Sequence, residues 1–362
     1  MSIPQQMQAV VVKGKGAAAV ETVPVPQPGP GQILVKVHAN ALNPTDWKHL
    51  DFFGIEGSTL GSDFVGTVIA KGPDAGKLVS EGDRVAGCVH GGWEKGTGAF
   101  AEYLVTYPAA VVSVPTKFKD EEAAGLGVGG FTSLFGLFQP KHLGLPMPSS
   151  ATELPPVDDK RKVLVWSGAT SVGQFVIQAA RASGAYVIAT ASPNNHEYIK
   201  SLGAAETYSY ADANVSEKIA QAHPDLVNAF DTFSEKGSTE ACARAMSKTQ
   251  DGKIVTILPS DPNSVAAANS RVKASFLLLY TVSGEETNMY GLKFSREYCQ
   301  EDLAFMGKMG SADLGLFHAL LSKNHVKPNR LSVQQGGFEG EIKGLDKLRL
   351  GQVSGEKLIF PL

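Results

Sequence analysis

The segment Val163-Leu164-Val165-Trp166-Ser167-Gly168-Ala169-Thr170-Ser171-Val172-Gly173-Gln174 constrains the fold of this chain more than any other. An apolar strand-length run gives way to small residues and then to a helix-forming run. A pyrophosphate needs this order: small side chains admit the backbone, and a helix N-terminus offers free N–H groups and a positive dipole end. The glycine fingerprint is imperfect. Gly168 and Gly173 hold the first and third positions of GxGxxG, and Thr170 holds the second. Alone, the motif also fits any tight strand–helix turn. The text after it alternates strand and helix: Tyr186–Thr190, His196–Leu202, Thr207–Tyr210, Val215–Ala222, Leu226–Phe230, Ser238–Met246 and Lys253–Leu258. Alternation of this kind predicts α/β structure, a Rossmann-type doubly wound parallel sheet with helices on both faces.

The next strand bears on the cofactor. An NAD site ends that strand with an acid that bonds the ribose 2′-hydroxyl. Ala191-Ser192-Pro193-Asn194-Asn195 has none. Ser192 and Asn195 offer donors to a 2′-phosphate, so NADPH is favoured; the same residues also suit a helix cap.

The first third is β-rich. Ala9–Lys13, Ile33–Ala41, Phe64–Ala70, Phe100–Thr106 and Ala110–Val114 read as short strands, punctuated by the turn-forming Val23–Gly31 and Glu81–Val85. Such spacing predicts a partly open barrel or sandwich. Asp120 caps a short helix start, Gly125–Gly130 reads as flexible, Thr132–Phe138 as helical, and Pro140–Pro156 as a surface excursion. Leu331–Val333 and Lys357–Phe360 are strand-like around a helix at Gly340–Leu350, and are expected to rejoin the first domain. The expected division is 1–130, a substrate and catalytic domain; 131–300, the nucleotide domain; and 301–362, the returning tail.

Composition narrows the class. With 19% charged residues and a net charge of −3, no basic face for nucleic acid is implied. Cys88, Cys242 and Cys299 are odd in number and far apart, so neither a disulfide framework nor a metal pair is legible. Without an N-terminal apolar region or a membrane-length apolar stretch, a soluble cytoplasmic protein is expected.

Asn43-Pro44-Thr45-Asp46-Trp47-Lys48, Gly61-Ser62-Asp63-Phe64-Val65-Gly66, Glu81-Gly82-Asp83-Arg84-Val85 and Gly98-Ala99-Phe100-Ala101-Glu102-Tyr103 complete the pattern. Over nearly its whole length the chain resembles the medium-chain dehydrogenase/reductase superfamily, with its GroES-like first domain. It is closest to the zinc-free quinone-reductase branch. Ser192–Asn195, Gln334–Phe338 and Val353–Leu358 make it most similar to fungal trans-acting enoyl reductases. Zinc members carry a Cys in the loop held here by Asn43–Lys48 and a Gly-His-Glu where Gly61-Ser62-Asp63 stands. Both ligands are missing, and His38, His49 and His90 look scattered, so no metal is expected.

The resemblance implies site roles. Thr45, Asp46, Trp47 and Lys48 would lie against the cofactor; Gly168, Ala169, Thr170, Ser171, Val172 and Gly173 would hold the pyrophosphate. Ser192, Pro193, Asn194, Asn195 and Tyr210 would surround the 2′-phosphate. Ile257, Leu258, Val353 and Ser354 would flank the nicotinamide, and Gly129, Gly130, Phe131 and Thr132 the acyl pocket. Lys48 is the candidate catalytic charge, with a salt bridge to Asp46 as the alternative. Asp63 reads as a structural acceptor. The chemistry this implies is metal-free, NADPH-dependent reduction of the C=C bond of an enoyl thioester or enone, the thioester free or on a carrier protein. A reductase of free quinones and small enones, or a non-catalytic NADPH sensor, are the rivals. The polar Ser260–Val272 favours a monomer over a homodimer.

Overall fold

The computed structural model describes residues 3–148, 153–311 and 315–362. Of the expected Pro140–Pro156 excursion, residues 149–152 lie outside the described residues.

Two large sheets organise the chain. The first has seven strands and mixed pairing. Ile33–Ala41 pairs antiparallel with Asp63–Lys71, and that strand pairs with Arg84–Cys88, which pairs with Val111–Ser113. Tyr103–Thr106 pairs on the other stretch of Ile33–Ala41. A separate ribbon of Gln6–Gly14 and Ala17–Pro24 lies alongside, bridged at Ala9–Ala101 and Val11–Thr59. The second member of that ribbon escaped sequence reading, because its Ala/Thr/Glu text has no strong alternation of apolar and polar residues.

The second sheet has six strands, all parallel, in the order Glu206–Ser209, Ala185–Ala191, Asp158–Trp166, Asn228–Asp231, Gly252–Thr256, Val272–Phe276. The chain order of these strands across the sheet is therefore 3-2-1-4-5-6, the doubly wound arrangement. Ligands bind in such sheets where the order reverses, here between Asp158–Trp166 and Asn228–Asp231, beyond their carboxyl ends. Helices Ser171–Ala182, Val215–Ala222 and Ser238–Ala245 follow three of the strands.

The end of the chain pairs with the first sheet. Leu331–Val333 runs parallel to Lys357–Pro361, which pairs antiparallel with Ile33–Ala41 through Ile359–Ala41 and Phe360–Asn40. Ahead of it, Phe305, Met306 and Phe317 of helices Arg296–Met309 and Leu316–Ser322 join Phe131 and Phe135 in one buried cluster that also takes in Ala41 and Val65, and His318 Nδ1 lies 2.8 Å from Ser113 O.

The Gly-rich stretch is not flexible: Gly127–Phe138 is one helix. A Cβ at Gly130 would lie 2.3 Å from the Phe317 ring, one at Gly136 2.3 Å from Phe230, and one at Gly129 2.7 Å from Ser171 Oγ. These glycines exist for close approach, and packing overrides their poor helix propensity.

Candidate active site

The strand–helix turn is built as a phosphate cradle. Ser167 takes a positive φ of 64° at the end of its strand. A Cβ on Gly173 would sit 2.6 Å from Ser167 O, and one on Gly168 2.9 Å from Ile177 Cδ1. Thr170, at the position of the fingerprint's second glycine, is the N-cap of helix Ser171–Ala182: its Oγ1 accepts from Gly173 N at 2.9 Å. The same hydroxyl lies 2.8 Å from Thr232 Oγ1, which donates to Trp166 O. The threonine thus fixes the turn across the switch point, takes up the Gly173 amide, and leaves those of Ser171 and Val172 open. Gln174 Nε2 donates to Ala169 O and to Gly355 O, which ties the tail to the cradle.

Ala191 pairs with Ser209, so Ser192 and Tyr210 leave adjacent strands side by side. Ser192 is half-buried, Pro193, Asn194 and Tyr210 are exposed, and Asn195 is turned inward, its Nδ2 donating to Ser192 Oγ at 3.0 Å. Asn195 also faces the tail turn at Gly355. No carboxylate stands in Ser192–Asn195.

A cavity of about 460 Å³ runs from the cradle toward the first sheet. It brings together Thr45, Trp47, Lys48, Thr132, Thr170, Ser171, Val172, Ile257, Leu258 and Val353. Several expected residues are not on its wall. Gly129, Gly130 and Phe131 are buried against Ser171, Phe175 and Phe317, because that face of their helix meets its neighbours. Val128 lines the cavity in their place, one position away on the helix. Ser354 is also off the wall. Tyr280, Leu277 and Met289 line it as well. Asn329, whose side chain exchanges bonds with Ser171, and Arg330, stacked 3.9 Å over Tyr198, carried no signal in the sequence.

Lys48 does not pair with Asp46. Its Nζ lies 2.8 Å from Glu235 Oε1, on the loop after Asn228–Asp231, and 5.6 Å over the Trp47 ring. Asp46 points inward: it accepts from Asn43 N at 2.7 Å and from Ser62 Oγ at 2.6 Å. Burial pushes its carboxyl up to about 7, against those two bonds. Asp63 accepts from Val128 N at 2.6 Å and pairs with Lys357 Nζ at 2.9 Å, both side chains being buried. The same ammonium donates to Asn43 Oδ1. His49 and His90 are not scattered; their Nε2 atoms are 2.8 Å apart, and burial lowers the pKa of both. His38 lies elsewhere, beside Asp120. All three cysteines are free and buried.

Two family models match: the alcohol dehydrogenase GroES-like domain over residues 29–116 and the zinc-binding dehydrogenase over residues 171–301. The trans-enoyl reductase thnE of Trichoderma harzianum is 32% identical over 99% of this chain and 96% of its own. The trans-enoyl reductase caaB of Aspergillus niger is 33% identical over 99% and 98%. The chain belongs to the medium-chain dehydrogenase/reductase family. Among solved structures, mycobacterial Rv1454c complexed with NADPH shares the fold at a TM-score of 0.71 and 21% identity, over 98% of this chain and all of the other.

This medium-chain reductase is an oxidoreductase, and its cradle fits a nicotinamide dinucleotide: a capped helix end with open amides, and two glycines where any Cβ would collide. The zinc named in one family model meets a different donor set here. Asn43, Ser62 and Asp63 are amide, hydroxyl and carboxylate oxygens, and the ammonium of Lys357 already sits among them. Zinc sites of this family's type use thiolate and imidazole. Among the described residues, no group of three or more His, Cys, Asp and Glu could hold a metal. No helix of the described residues is long and apolar enough to cross a membrane.

Proposed function

We propose that this reductase uses NADPH to saturate the C=C bond of an α,β-unsaturated carbonyl compound, an enoyl thioester first among them. One observation carries the reading: a cavity that joins the phosphate cradle to Thr45, Lys48 and Tyr280, beside a buried Asp63 whose partner is the ammonium of Lys357. The trans-enoyl reductase names of the relatives and the NADPH in the mycobacterial structure agree with it.

The roles follow from placement. The amides of Ser171 and Val172 bind pyrophosphate at the helix N-terminus. Ser192, Asn194 and Tyr210 offer uncharged donors to a 2′-phosphate, and with no carboxylate present nothing repels it. Bound NADPH supplies a hydride to the β-carbon. Ile257, Leu258 and Val353 flank the nicotinamide, and Leu277 and Met289 keep water from the reacting atoms. Lys48 offers its ammonium to the charge that develops on the carbonyl oxygen. The acyl chain enters past Val128 and Thr132, whether free or on a carrier protein. The edge strand Val272–Phe276 carries an exposed Lys273, and the segment before it folds into the short helix Pro262–Ala268. Both discourage edge pairing, in keeping with a monomer.

Titration by tryptophan fluorescence, with Ser192→Asp alongside, tests the cofactor. The expected result is NADPH binding tighter than NADH by about tenfold or more, roughly 1.4 kcal/mol, reversed by the substitution. Preference of the unsubstituted protein for NADH overturns the 2′-phosphate assignment. NADPH oxidation with enoyl thioesters is then expected. Activity confined to quinones shifts the substrate class, and binding without turnover on either makes the protein a sensor.

A further inference from the structure

A second cavity, of about 230 Å³, lies behind the first and is lined by Cys88, His90, Trp93, Glu94, Tyr280 and Glu285. Glu94 and Glu285 are exposed at its rim. Tyr280 forms part of both walls, with its ring stacked on His90 at 3.6 Å between centroids. The two cavities are also joined by hydrogen bonds. Tyr280 OH lies 2.9 Å from Thr45 Oγ1, which lies 3.2 Å from His49 Nδ1; His49 Nε2 lies 2.8 Å from His90 Nε2.

The donors in this chain have one direction. His49 Nδ1 is 2.8 Å from the carbonyl oxygen of Thr45, which can only accept, so Nδ1 carries the hydrogen. His49 Nε2 is then an acceptor, and His90 Nε2 donates to it. Burial holds both rings below the usual imidazole range, in keeping with neutral rings. Thr45 Oγ1 can accept from His49 and donate to Tyr280. Each group is thus set to pass a proton from the outer cavity toward the inner one.

Resting on the enoyl-reductase reading, we infer that Tyr280 is the acid that protonates the substrate, and that Thr45, His49 and His90 resupply its proton from water in the second cavity. After hydride addition at the β-carbon, the α-carbon of the enolate forms its C–H bond with the Tyr280 proton as the phenolic O–H breaks. The phenolate takes the Thr45 hydroxyl proton, Thr45 takes that of His49 Nδ1, and His49 Nε2 takes that of His90 Nε2. His90 Nδ1 takes one from water. One proton of water has then reached the product and hydroxide is left in the second cavity; both imidazoles have changed tautomer and are reset by proton exchange with water before the next turnover. Tyr280 touches the reacting atoms; His49 and His90 act through it and are positioning residues.

The test uses crotonyl-pantetheine and NADPH in H₂O and in D₂O, with the full chain and the variants Tyr280→Phe and His90→Phe. NADPH affinity reports that each variant is folded. For Tyr280→Phe a fall in kcat of about 100-fold is expected, within the usual span of general acid catalysis, with deuterium no longer delivered to a single face of the α-carbon. For His90→Phe, which keeps the stacked ring, the expectation is a lower kcat, a larger solvent isotope effect and an unchanged KM. If both variants match a wild type that turns over, in rate, isotope effect and stereochemistry, the relay is wrong and the enoyl reading stands. If the wild type reduces no α,β-unsaturated thioester, the enoyl reading fails and the relay falls with it.

Discussion

At the scale of single residues, the dinucleotide turn shows how little room separates a cradle from a clash. The backbone of Gly173 meets Ser167 O where a Cβ would be 2.6 Å away, and Gly168 Cα lies 2.8 Å from the same point. Neither neighbour is a flexible side-chain end that could move aside. Gly173→Ala must therefore open the turn or shift the helix. Overpacking of this kind costs about 1–3 kcal/mol. Urea unfolding should show that loss, and NADPH affinity should fall with it because the first-turn amides lose their alignment. Thr170 reads differently in sequence and in space. By pattern it is a missing glycine; in the structure its hydroxyl replaces the glycine's conformational freedom with a cap and a tie to Thr232.

At the scale of elements, the helix Gly337–Arg349 buries a carboxyl. Glu341 is fully buried, and Asn40 Nδ2 donates to its Oε1 at 2.8 Å. Burial raises its pKa well above the usual range; the Asn40 bond opposes this and the charge of Asp46 adds to it. A raised folded-state value means that the native state keeps a proton the unfolded chain has lost. The associated stability is present below the unfolded value of about 4.3 and is lost as pH rises toward the folded one. Asp46, pushed up to about 7, acts in the same direction. Glu341→Gln keeps an acceptor for Asn40 and removes the charge. Its melting temperature relative to wild type should be near equal at pH 4 and should rise steadily to pH 8. A difference independent of pH would show that Glu341 is not the group responsible.

At the scale of the whole molecule, one buried ion pair ties distant parts of the chain. Lys357, on the last strand, reaches Asp63 at the start of a first-sheet strand; Asp63 holds Val128 on the glycine-rich helix, and Lys357 also holds Asn43 at the head of the short helix Pro44–Lys48. Removing one partner strands a charge in the interior, at a cost of about 3–5 kcal/mol. Lys357→Met should unfold at correspondingly lower urea, while Lys357→Met with Asp63→Asn should recover part of the loss. The sequence by itself determined the alternating parallel sheet, the approximate place of many of the strands and the position of the phosphate turn. These depend on residue periods and on turn chemistry within a few positions, which survive in any context. It also carried Ser192–Asn195 as an acid-free strand end. What it did not carry was partnership. Lys48 meets Glu235 rather than Asp46, His49 meets His90, Tyr280 arrives beside Thr45, and Lys357 stands among Asn43 and Asp63. Periodicity says which face of an element is buried but not which residue, hundreds of positions away, covers it. That choice was made only when the two sheets packed, the Gly127–Phe138 helix slid against its neighbours, and the last strand closed on the first sheet.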